Sequence, residues 1–241
     1  MSQNQVSRRF FVTGAAAGIS AGALLGTSSD AEAQLVWKYP QWNHAGLEKI
    51  IKDPARIKQV FEIAPIGDTE IFSGIKNSWN GLHFGFNIPA DQIKIVGALH
   101  GTAHLLLYDD SMWSKYRLGE FTKVNDPETG KPSVRNIAYP SKHATEPPSV
   151  VNDPDDTHSL YQDTSIQALQ ERGVQFLSCH TALEGQAKAI VKRNQLTVSS
   201  EDVVQDMMAH TVPGALVVAA MVAAIALLQC EGKYAYTKGG G

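Results

Sequence analysis

Cysteine is nearly absent: only Cys179 and Cys230 occur in 241 residues. That excludes a disulfide-dense scaffold, and with no CxxC or CxxCH pattern it also excludes a dithiol redox pair and covalently attached haem. Signatures of other chemistries are missing too. There is no G-x-S-x-G elbow for a serine nucleophile, and Gly97-x-x-x-Gly101 lacks the G-x-G-x-x-G order of a dinucleotide loop. The formal net charge is −3, and no Lys/Arg run occurs after residue 33, so the electrostatic footprint of a nucleic-acid binder is lacking. Long apolar runs are scarce as well. Gly214 to Leu228 falls short of the ~20 residues a bilayer requires. It reads as a buried helix with Pro213 at its first turn, not as a membrane span.

The first 33 residues have the layout of an export signal. Ser7-Arg8-Arg9-Phe10-Phe11-Val12 is a charged start, a Gly/Ala-rich apolar run continues to Leu25, and Ala31-Glu32-Ala33 is a small-x-small cleavage site. The paired Arg8 and Arg9 resemble a twin-arginine signal, with Val12 and Thr13 replacing its last two usual residues. Such a signal is an address read by a receptor. It implies cleavage after Ala33, a periplasmic location and export of an already folded chain. About 208 residues are left, the size of one domain, and nothing in them is long enough to span a membrane.

Residues 34–56 read as an N-terminal arm or short helix. From 57 onward, strands and helices alternate. Lys58–Ala64, Ile93–Leu99, Val174–Cys179 and Lys233–Thr237 have strand composition, and a fifth strand is expected but has no clear position. Asp68 or Thr69 can cap a helix running to Phe84. Gly173 suits a left-handed helix end, and Ser199-Ser200-Glu201-Asp202 is a capping-box start. Residues 122–163 are punctuated by Pro and Gly and read as a long Pro-rich insertion loop. The alternation predicts an α/β domain with a parallel sheet and helices on both faces.

Cys179 is the foremost candidate for chemistry. It ends a predicted parallel strand, where doubly wound sheets place reactive groups, and a helix starting near Ala182 would aim N–H groups at it. His180 beside it would raise its reactivity when protonated, although adjacent strand residues face opposite ways. A buried cysteine that merely packs is the competing reading. Cys230, at the end of the last helix, should lie at the far end of the sheet, beyond the ~7 Å a disulfide allows, and reads as a buried spacer. His100 and His104 would stack at i, i+4 as a metal pair if 100–104 were helical, but no third ligand is in view. The sequence names no cofactor.

Three stretches together carry a family likeness: the strand ending in His100-Gly101, the segment Gln170-Glu171-Arg172-Gly173-Val174-Gln175-Phe176-Leu177-Ser178-Cys179, and the tail from Val212-Pro213-Gly214 to Gly232-Lys233-Tyr234-Ala235-Tyr236. They resemble the DsrE/DsrF-like superfamily and, with the leader, its exported members of unassigned activity. The likeness covers most of 57–237, with 122–163 an insertion. It implies a flavodoxin-like fold and a homo-oligomer. Sulfur-transfer members hold a persulfide on a strand-end cysteine, and Cys179 is the matching position, with His100 and His180 as nearby polar groups. Those members mostly work in the cytoplasm with partner subunits, whereas this chain carries an export signal. Two expectations follow: a periplasmic protein handling sulfane sulfur at Cys179, or a non-catalytic binding or assembly module whose 122–163 loop recognises a periplasmic protein partner.

Overall fold

A computed structural model describes residues 42–66, 72–140 and 153–239. The chain divides into the units Met1–Ala33 and Gln34–Gly241, and every described residue belongs to the second. The arginine pair, the cleavage site, the cap at Asp68 or Thr69 and the middle of the Pro-rich stretch lie outside the described residues.

Five parallel strands form one sheet: β1 (Ile57–Ile63), β2 (Ile93–Leu99), β3 (Gln175–Cys179), β4 (Leu216–Val218) and β5 (Ala235–Lys238), in the order β4-β3-β2-β1-β5. The expected α/β class and flavodoxin-like layering are thus present. β2 reads IKIVGAL and is buried along almost its whole length, as a central parallel strand covered on both faces must be. Gly97 at its centre is a packing requirement, because a Cβ there would lie 2.7 Å from the Phe176 ring. The edge strand β5 is short and largely exposed, and ends in Lys238.

Handedness explains how the two faces are covered. From β1 to β4 every crossover steps the same way, and right-handed connections put their helices on one side. That face holds α2 (Ser73–Asn80), α3 (Asp110–Lys115), α4 (Leu118–Thr122), α5 (Ile166–Glu171), α6 (His180–Asn194) and α7 (Ser200–Ala209), in one core with Phe61, Ile63, Ile95, Leu99 and Phe176. Only β4→β5 runs back across the sheet, so only its helix, α8 (Met221–Cys230), goes to the other side. The segment expected as an arm supplies the rest. Its helix α1 (His44–Ile51) places Ile50 and Ile51 with Val60, Val96, Leu177, Val218 and Leu228 in a second, smaller core.

The fifth strand is β4, inside the apolar run that reads as one long helix. Pro213 therefore precedes a strand, and the last helix starts only at Met221. Periodicity cannot separate a buried strand from a buried helix when every residue is apolar. Cys230 departs from expectation as well: it is exposed, and both thiols are free. The described flanks of 122–163 are fastened to the domain. Asn136 donates its amide to the carbonyls of Leu106 and Tyr108, Asp126 pairs with Arg135 at 2.6 Å, and Ser159 and Asp163 are buried.

Candidate functional site

The carboxyl ends of β1, β2 and β3 gather the residues singled out from the sequence. Cys179 is the last residue of β3 and also the N-cap of α6, which begins two residues before Ala182. Its Sγ accepts the N–H of Met221, the first residue of α8, at 3.4 Å. The sulfur thus lies against the start of α8, whereas at the N-cap of α6 its side chain makes no capping bond. The side chain is nonetheless buried, with 5% of the residue exposed, in the smaller core beside Val218 and Met221.

His180 opens α6. Its ring meets the edge of Trp42 at 5.1 Å between centroids, and Nδ1 lies 3.5 Å from Glu184 Oε1. Burial pushes its pKa down to about 4. At neutral pH it is uncharged, so it does not supply the cationic neighbour that the sequence suggested for Cys179.

His100 and His104 do not form a helical pair. His100 stands one residue past β2, Gly101 has a φ of +55°, and the following turn is a 3-10 helix over Ala103–Leu107. A Cβ at position 101 would lie 2.5 Å from the Ala64 carbonyl oxygen, so this left-handed turn requires glycine. Each histidine then joins a different set of partners. Among the described residues, no group of three or more His, Cys, Asp or Glu side chains is placed to hold a metal ion.

His104 is fully buried in a hydrogen-bond chain whose direction one carbonyl fixes. Gln186 bonds to the Gly101 carbonyl oxygen, which can only accept, so the Gln186 amide nitrogen faces it. Gln186 Oε1 must then accept from His104 Nε2, 2.8 Å away. Nδ1 is left as an acceptor for the Ser178 hydroxyl at 3.2 Å, and Ser178 in turn accepts from the Tyr108 hydroxyl at 3.1 Å. Burial holds His104 neutral, with its pKa pushed down to about 4, and pushes the Tyr108 hydroxyl above its ordinary range. The chain locks the Gly101 turn to α6 and to the residue preceding Cys179.

Neutral buried histidines make the fold sensitive to acid. In the unfolded chain His titrates near 6.5. Between that value and about 4 the unfolded state therefore binds more protons than the native state, and stability falls as pH is lowered through this window. At about 1.4 kcal/mol per pKa unit, His104 alone contributes a loss of about 3 kcal/mol. Urea midpoints measured from pH 7.5 down to pH 4 should decline mainly below about pH 6.5. A level profile would show that neither ring is held neutral.

His100 belongs to a third arrangement, with residues of β1 and β5. Its Nε2 lies 2.9 Å from Glu62 Oε1, and the other carboxylate oxygen of Glu62 accepts from the Tyr236 hydroxyl. The Tyr236 bond, aided by His100 and Lys238, holds the Glu62 carboxyl below its usual range. His100 and Glu62 are partly exposed, unlike Cys179. A cavity of about 310 Å³ lies at the opposite, amino end of the strands, bordered by Lys49, Asp53, Lys94 and Gln175.

No protein-family model, curated protein or solved structure matches this chain. The functional reading therefore rests on the geometry just described. Sequence reasoning placed Cys179, His100 and His180 at one end of the sheet, but not their partners. Met221 and Tyr236 reach the site only through the β4→β5 crossover. No motif marks Glu62, and the β1–β2 register sets it opposite Ala98, two residues before the His100 that it bonds.

Proposed function

We propose that the protein is an exported, DsrE/DsrF-like carrier of sulfane sulfur, with Cys179 as the sulfur-bearing residue. The observation that carries this reading is the position of Cys179 at the carboxyl end of an interior parallel strand, with its Sγ bonded to the Met221 N–H at the start of α8. A persulfide or thiolate there faces the positive dipole end of α8. Burial adds a condition. A sulfur donor reaches Cys179 only when the α1/α8 layer opens, so exchange scales with the population of the open form. The Arg8-Arg9 leader supports a periplasmic location, and the family likeness supports a homo-oligomer. A second reading has its own support. The same burial suits a packing cysteine in a non-catalytic binding or assembly module.

Intact mass of the mature protein, incubated with a low-molecular-weight persulfide and then with a thiol-blocking reagent, separates the two. The exposed Cys230 should be blocked first. The carrier reading expects a reductant-labile gain of one sulfur on Cys179, faster in mild denaturant and lost in Cys179→Ser but retained in Cys230→Ser. Modification confined to Cys230 under every native condition would sink it in favour of the binding module.

A further inference from the structure

We propose that His100, positioned by Glu62 and Tyr236, is the proton acceptor for the Cys179 thiol, an assignment that rests on the sulfur-carrier reading above. The three side chains come from β5, β1 and the residue following β2, which are neighbours in the sheet. An ionised carboxylate only accepts hydrogen bonds. The 2.9 Å contact with Glu62 therefore keeps the imidazole proton on Nε2 and leaves the lone pair on Nδ1. Tyr236 occupies the second oxygen of Glu62, which fixes the plane of the carboxylate.

The register sets His100 next to Cys179 on the neighbouring strand. Leu99 pairs with Ser178 at the end of the β2–β3 ladder, so His100 and Cys179 are the next residues on adjacent parallel strands, ~4.8 Å apart in the pairing direction. Alternation turns both toward the side of α1 and α8. His100 is 26% exposed at its side chain, while Cys179 is shut in. The charged and titratable groups around it are Glu62 on β1, Tyr236 and Lys238 on β5, His104 beyond the Gly101 turn, and Cys179 itself.

The step balances without an external oxidant. His100 Nδ1 takes the thiol proton, and the Cys179 thiolate attacks the outer sulfur of a persulfide R–S–SH. The donor S–S bond breaks as a new S–S bond forms on Cys179. The leaving R–S⁻ then takes the proton back from His100.

Two measurements on the full mature chain test the assignment. Long-range nitrogen–proton spectra of the imidazoles should show His100 as the Nε2–H tautomer, lost in Glu62→Gln. The rate of sulfur uptake onto Cys179 should fall at least ~10-fold in His100→Gln, with its pH dependence flattened, and less in Tyr236→Phe. An Nδ1–H tautomer, or an unchanged pH profile in a folded His100→Gln that still takes up sulfur, overturns the assignment alone. Absence of uptake on Cys179 in the unmodified protein overturns the carrier reading and this role with it.

Discussion

Replacing His104 with alanine should lower the unfolding free energy by about 4 kcal/mol at neutral pH, a large fraction of the 5–15 kcal/mol typical of a domain. The ring is fully buried and supplies both links of a directed chain. Its loss strands the buried Ser178 hydroxyl proton and takes the donor from the partly buried Gln186 Oε1, at about 1–3 kcal/mol for an unsatisfied buried group. It also opens a cavity under Tyr108, whose ring meets the imidazole edge-on at 5.7 Å. Tyr108→Phe should cost only about 1 kcal/mol, because Ser178 keeps its bond to His104. Urea titrations of both variants check the contrast. The His104 variant should also show a shallower acid decline, having lost one of the two buried rings. Equal midpoints for unmodified protein and His104→Ala would mean that the chain does not bear on stability.

Arg172→Met should cost about 3 kcal/mol and loosen the second flank of the Pro-rich stretch. The guanidinium is buried and donates to the carbonyls of Asp163 at 2.8 Å, Ala168 at 3.3 Å and Tyr161 at 3.4 Å, and to Asn80 Oδ1 at 3.2 Å. It also lies over the Trp79 ring, 5.6 Å from the centroid, while the Trp79 indole donates to the Arg172 carbonyl. Burial pushes its pKa down to about 10, so it is still a cation at neutral pH. Methionine matches much of the volume but leaves buried carbonyls without donors. Lysine should not rescue, since one ammonium cannot replace a planar fork that reaches four acceptors. The readouts are the urea midpoint and limited proteolysis, with new cleavage expected between 153 and 165. An intact proteolysis pattern and an unmoved midpoint would refute the anchoring role.

Strands β1, β2 and β3 announce themselves through β-branched and apolar composition bounded by turn residues, and their helices through caps. The capping box at Ser199 forms with Asp202, and Gly173 takes the left-handed conformation its position suggested. β4 is hidden because its residues are as apolar as the helix that follows. The i, i+4 spacing of His100 and His104 misleads for a related reason. Spacing indicates a shared face only inside a helix, and Gly101 breaks the backbone between them with a positive φ.

By itself, the sequence determined the class of fold, the end of the sheet where polar groups collect, and Cys179 as a strand-end residue, because these depend on local composition and periodicity. Only the tertiary structure decided what each group touches. Glu62 meets His100 across 38 residues and Tyr236 across 174, and Cys179 receives the Met221 N–H across 42. Those encounters follow from strand order and crossover hand, which are properties of the whole sheet. The same topology gave one face a single crossover helix, left the edge strand β5 largely exposed, and made the N-terminal helix α1 part of the core.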